Sequence, residues 1–172
     1  MITGLVWGAT PAECAAPMPC DDLRPDGLQV DRAITIDAPP RLVYAWLCQL
    51  RVAPYSYDLL DRWGRPSPRH RDQLLVELEL GQRFMGQFDL ASFERNRHIT
   101  LSIKRVAVTY AVHPAGSGTR LVVRARMKAP RVVGHPLAIG DLIMMRKQLL
   151  TLKELAETEH HAAPIESDVS IR

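Results

Sequence analysis

Tyr57, Asp58 and Asp61 fall in one short apolar-periodic stretch, Tyr57 to Trp63, and are the residues best suited by type to acid–base chemistry. A carboxylate or phenol pushed into an apolar site has its pKa displaced toward working pH and can act as general acid or base. The ordinary reading is weightier: Asp58 caps a helix, and Asp61 pairs on the surface with Arg62 or Arg65. Ser56 lies between tyrosines rather than glycines and has no nucleophile elbow. Gly116-Ser117-Gly118 lacks the lysine and helix start of a phosphate loop. The six histidines show neither HxH nor HExxH spacing, and Cys14, Cys20 and Cys48 show neither CxxC spacing nor an even count. No metal and no cofactor is therefore expected, and the cysteines read as reduced thiols, with Cys48 a small buried hydrophobe. His98, next to Ile99, is expected to face solvent, and His160 and His161 to close the C-terminal end of a helix, where the dipole favours positive charge.

A second chemistry is binding. Trp46, Tyr55, Tyr57, Trp63, Phe84, Phe88, Phe93 and Tyr110 could together line an apolar cavity, with Met127, Met144 and Met145 supplying adaptable surface. Any single aromatic at strand or helix spacing is ordinarily core, so the set carries more weight than its members.

These residues need elements to position them. Leu142, Met145, Leu149, Leu152 and Ala156 recur at three- and four-residue steps, opposite Arg146, Lys147, Lys153, Glu154 and Glu157. This pattern predicts an amphipathic helix from Asp141, as N-cap after Gly140, to about Thr158; Ile143, Met144, Leu150 and Leu155 broaden its apolar face. Ahead of it, Pro130 to Gly140 reads as an irregular link because of Gly134, Pro136 and Gly140. At the other end, Thr10, Pro11 and Glu13 read as the N-cap, first position and first-turn acid of a short helix that Pro17 and Pro19 stop.

The alternation of Leu28 to Ile36 predicts a first strand, which Asp37-Ala38-Pro39-Pro40 ends while starting a helix carrying Leu42, Val43, Trp46, Leu47 and Leu50. A second short helix is expected over Tyr57 to Trp63, and a solvated loop explains Arg65, Arg69 and Arg71. Strand periodicity then runs through Leu74–Leu80, Phe84–Leu90, Ile99–Ile103, Val106–Val112 and Leu121–Met127, with Thr100, Ser102, Thr109, Arg124 and Arg126 on a wet face. His113 to Thr119 is the clearest hairpin loop. The expected organisation is a lead-in over 1–20, one domain over 21–159, and a tail over 160–172 without periodicity.

Composition narrows the class. At 172 residues and 47% hydrophobic content the chain suits one α+β domain with a sizeable core. Its net charge of +3 comes from interspersed residues, 22 basic and 19 acidic, with no aromatic-laced basic stripe, so nucleic acid is not an expected partner. No run reaches the length of a transmembrane helix, and Leu5 to Ala9 lacks the basic start of a secretion signal, so a cytoplasmic setting is expected. The oligomeric expectation is a monomer or homodimer.

The sequence resembles the START-like superfamily, also called SRPBCC or birch-pollen-allergen-like, and within it bacterial proteins labelled polyketide cyclase or dehydrase. The resemblance rests on Arg32-Ala33-Ile34-Thr35-Ile36-Asp37-Ala38-Pro39 followed by Val43-Tyr44-Ala45-Trp46-Leu47, on Ala53-Pro54-Tyr55-Ser56-Tyr57-Asp58, on Gly81-Gln82, on Thr119-Arg120-Leu121 and on Met144-Met145-Arg146-Lys147-Gln148-Leu149-Leu150. It implies a helix-grip fold: a seven-stranded antiparallel sheet around a long C-terminal helix, two short helices between the first two strands, and a hydrophobic cavity between these layers. The cavity residues expected on this basis are Trp46, Tyr55, Tyr57, Asp58, Phe84, Phe88, Tyr110, Met127, Met145, Gln148 and Leu149. The implied function is binding or transport of a lipid, sterol or polyketide-like molecule. The alternatives are a cyclase or dehydratase using Asp58 or Tyr57 as acid or base, and a protein-interaction module.

Overall fold

The computed structural model describes residues 5–55, 68–128 and 131–162, with side chains in the last segment from residue 144 onward. Its chain runs β1 (Val6–Trp7), α1 (Pro11–Ala15), α2 (Pro19–Leu23), β2 (Leu28–Ile36), α3 (Pro40–Cys48), β3 (Arg83–Phe84), β4 (Phe88–Glu94), β5 (His98–Ile103), β6 (Val106–Ala115), β7 (Gly118–Met127) and α4 (Arg131–Ala162). The strands form one seven-stranded sheet ordered β1-β2-β7-β6-β5-β4-β3. All neighbours are antiparallel except β1, which adds to β2 in parallel, Val6 opposite Asp31. The expected fold class, an α+β helix-grip, is the one observed. The second short helix expected over Tyr57 to Trp63 lies outside the described residues.

The seven strands are not the set that periodicity gave. Leu74, Val76, Leu78 and Leu80 alternate like a strand, yet residues Gln73–Val76 form a 3-10 turn, and Leu74 and Leu80 are exposed. The segment is held from outside: Gln49 exchanges two 3.0 Å bonds with the Asp72 backbone, and Arg51 donates to the carbonyls of Leu75 and Glu77. Side chain–backbone bonds of this kind outcompete a weak strand propensity. Phe84 and Phe88, expected in one continuous strand, face each other across a turn in which Met85 and Gly86 both take positive φ. The hairpin expected over His113 to Thr119 is tighter than its loop residues suggested: Ala115 pairs with Gly118, and only Gly116 and Ser117 turn. Gly118 must be glycine, because a Cβ there would lie 2.4 Å from the Ile36 carbonyl oxygen.

The last helix is longer than expected. It begins at Arg131, ten residues before Asp141, and at 1.5 Å per residue its 32 residues span about 48 Å. Gly134, Pro136 and Gly140 are absorbed, since Pro136 forfeits a single bond to the carbonyl four residues earlier and propensity is overridden by the rest of the helix. Of the apolar stripe, Met145, Leu149, Leu152 and Ala156 are buried, as is Leu155; Met144 and Leu150, expected on the same face, are exposed, and the side chains of Leu142 and Ile143 lie outside the described residues. α4 packs on β2 and α3, and these elements enclose the main core.

The opposite face of the sheet was expected to be wet and is covered. α1 and α2 lie across it, burying Met18 and Cys20 against Ala33, Ala107, Ala111 and Val122. Beneath them Arg124 is buried. Its Nε donates to Asp31 Oδ1 at 2.7 Å, Nη1 to Asp21 Oδ2 at 2.8 Å, and its remaining donors reach the carbonyls of Glu13, Cys14 and Ala16. Arg126 also pairs with Asp21, so neither arginine is a solvated strand residue. Arg69 is exposed as expected and pairs with Glu154 of α4, whereas Arg71 is largely buried in its pair with Glu159.

α1 keeps the capping box that Thr10 and Glu13 announce. Glu13 also accepts from Arg120 at 2.7 Å, and that bond, with burial opposing it, lowers its pKa from 4.5 to about 2. A carboxylate depressed on folding stabilises above its unfolded pKa, and the contribution disappears as pH falls through the folded value. Glu13→Gln is therefore expected to cost stability at pH 6, with the gap from wild type closing between about pH 4.5 and 2. Urea melts of both proteins across this range check it; a gap independent of pH would contradict it.

Candidate functional site

α3 begins at Pro40, where the fixed φ of proline suits a first helical turn, and it buries Val43, Trp46 and Leu47. Trp46 meets the Tyr55 ring edge-on, with centroids 6.0 Å apart. Tyr55 has φ +54, a conformation uncommon for an aromatic residue, and it is held there by burial. Phe84 comes from β3, Tyr110 from β6, Met127 from β7, and Met145, Gln148 and Leu149 from α4; all are buried. Phe88, on β4, is half-buried against the same core. Nine of the expected cavity residues thus belong to one cluster or contact it, while Tyr57 and Asp58 lie outside the described residues.

At the centre of this apolar cluster sits a polar pair. The Tyr110 hydroxyl donates to Gln148 Oε1 at 2.8 Å, and Gln148 Nε2 donates to the Pro54 carbonyl at 2.6 Å, with the Met85 sulfur 3.5 Å away. The Met85 amide in turn donates to the Leu50 carbonyl at 2.8 Å, so the β3–β4 turn, the end of α3 and α4 are tied together around one glutamine. The indole Nε1 of Trp46 is buried and meets no acceptor among the described residues. A buried donor without an acceptor costs about 1–3 kcal/mol, which a fold tolerates only where packing or a further partner offsets it.

Cys48 is buried in the same core. Burial pushes the Cys48 thiol up to about 12, so it is inert at neutral pH. His98 is half-buried rather than solvated, and that burial lowers its pKa. Sequence reasoning missed the second polar lining, described below, because its residues come from four separate segments and no spacing connects them.

No protein-family model matches the chain, and no curated relative matches it in sequence. Solved structures do. A Staphylococcus saprophyticus protein superposes with a TM-score of 0.53 at 15% identity, covering 77% of this chain and 92% of its own. A Mesorhizobium loti protein gives 0.50 at 19% identity, over 76% and 97%. A Corynebacterium glutamicum protein described as Polyketide_cyc-like gives 0.47 at 17% identity, over 81% and 98%. At these identities the likeness extends to the fold alone: a seven-stranded sheet packed against a long C-terminal helix. Among the described residues no helix is long and apolar enough to cross a membrane.

Proposed function

We propose that this protein binds a hydrophobic small molecule, lipid, sterol or polyketide-like, between the sheet, α3 and α4. Trp46, Tyr55, Phe84, Phe88, Tyr110, Met127, Met145 and Leu149 supply the apolar wall. Gln148 and the Tyr110 hydroxyl orient the guest's polar end. The observation that carries this reading is the buried polar pair inside an otherwise apolar cluster, beside a Trp46 donor that meets no acceptor among the described residues. Such a constellation is what small-molecule sites use: apolar burial for affinity and a few fixed donors and acceptors for orientation. No step of covalent chemistry is needed for this role.

Native mass spectrometry of the freshly purified chain, set beside its denatured mass, tests the proposal. A small-molecule adduct lost on denaturation is expected. Its class, added back at a hundredfold excess over Kd, should stabilise the fold by about 2.7 kcal/mol, a rise in Tm of roughly 5–11 °C. A single unliganded species, with no shift from any lipid, sterol or aromatic polyketide, would contradict it.

A further inference from the structure

A cleft of about 500 Å³ lies outside the core, between α3, the segment after Pro68, the β4–β5 turn and the last turns of α4. Its apolar lining is Pro39, Leu42, Ala45 and Val76. Three arginines reach it, and they are not equivalent. Arg71 is consumed by Glu159, with Nη2 to Oε1 at 2.8 Å and Nε to Oε2 at 3.4 Å. Among the described residues Arg95 pairs only with Glu77, at 3.8 Å with both side chains exposed, an arrangement worth little. Arg41 makes no ion pair among the described residues. Asn96 and His160 complete the rim.

The wall of this cleft includes Tyr44, 3% exposed, whose hydroxyl makes no hydrogen bond to another described residue. Burial raises its pKa far above the ordinary phenol value, so the group stays a neutral donor at any working pH. An apolar floor, two arginines without strong partners among the described residues and the Tyr44 hydroxyl make a coherent recognition surface. The volume falls within the range of about 300–1,000 Å³ typical of small-ligand sites.

We propose that this cleft is a second ligand site, separate from the interior, for a small amphipathic oxyanion: its apolar body on Leu42, Ala45 and Val76, its head between Arg41, Arg95 and the Tyr44 hydroxyl. The head is a carboxylate or a phosphate monoester, since a guanidinium fork matches either. Glu159 keeps Arg71 from adding a third charge, so a head of one to two negative charges is matched without excess.

Octanoate, octyl phosphate and octanol, titrated into the full chain with amide chemical shifts and calorimetry as readouts, test the site. At least one of the two anions should bind about tenfold or more tightly than octanol, the equivalent of one charge-assisted hydrogen bond. It should shift the amides of residues 41–45, 76 and 95–96, and the tighter of the two identifies the headgroup. Arg41→Glu with Arg95→Glu should abolish that preference without lowering Tm, because both side chains are solvated, and Tyr44→Phe should weaken binding severalfold. Gln148→Leu, an interior change, should leave the anion's affinity unaltered. Octanol binding as tightly as both anions, or charge reversal without effect on either, would overturn the site.

Discussion

Arg124→Ala is expected to lower the melting temperature by on the order of 10 °C, the largest stability loss of any single substitution that leaves the apolar core intact. The Arg124 side chain is 2% exposed and its five donor hydrogens are spread over Asp31, Asp21 and three main-chain carbonyls. Removing one member of a buried pair leaves the other charged and desolvated, which costs about 3–5 kcal/mol. For a chain of this size each kcal/mol moves Tm by roughly 2–4 °C. Asp31 lies directly opposite Arg124 in the β2–β7 ladder, so the loss falls on the pair that joins the sheet to α1 and α2. Replacing both, as Arg124→Met with Asp31→Leu, should cost less than Arg124→Met alone, since no charge is then stranded. Calorimetry of the three variants gives the result; an Arg124→Ala protein within about 1 kcal/mol of wild type would show that the N-terminal helices are not latched by this residue.

The second large effect concerns ligand affinity. Gln148→Leu removes the acceptor of the Tyr110 hydroxyl and the donor to Pro54, and is expected to destabilise by about 1–3 kcal/mol. Adding Tyr110→Phe should recover part of that, because the hydroxyl is then gone as well. The paired variant therefore separates folding from recognition: it retains an apolar interior of similar volume and lacks the groups that orient a guest. Its affinity for the copurifying ligand should fall by roughly 5- to 150-fold, the same 1–3 kcal/mol read in binding. Isothermal titration of wild type and paired variant measures this. Equal affinities would mean that the glutamine braces α4 against Pro54 and plays no part in binding.

How much of this was legible depended on how locally each feature is encoded. β2 was read from Leu28 to Ile36 because its alternation and its Pro39-Pro40 stop lie in one stretch, and the capping box of α1 spans only Thr10 to Glu13. The buried stripe Met145, Leu149, Leu152 and Ala156 follows from helical spacing alone. The errors share a cause in contacts between distant segments. Arg124 looked solvated because alternation places it opposite the core, and nothing nearby reveals that α1 and α2, roughly a hundred residues earlier, fold across that face. Leu74 to Leu80 has the period of a strand, but Gln49 and Arg51 capture its backbone first. Within the candidate site, Tyr110 and Gln148 could be singled out as polar residues on inward-facing stripes, whereas the bond between them, 38 positions apart, required the fold. The Arg41, Tyr44 and Arg95 cleft had no sequence signature at all.

The most direct measurement is the indole N–H resonance of Trp46, assigned by its disappearance in Trp46→Phe, during titration with carbonyl-bearing apolar probes such as progesterone and 2-acetylnaphthalene. If the interior receives a guest, that proton shifts downfield in step with saturation as it gains an acceptor, while the indole signal of Trp7 moves less. Saturating binding of such probes with the Trp46 signal unmoved, or no binding of any of them, would contradict the assignment of the space between sheet, α3 and α4 as the ligand site.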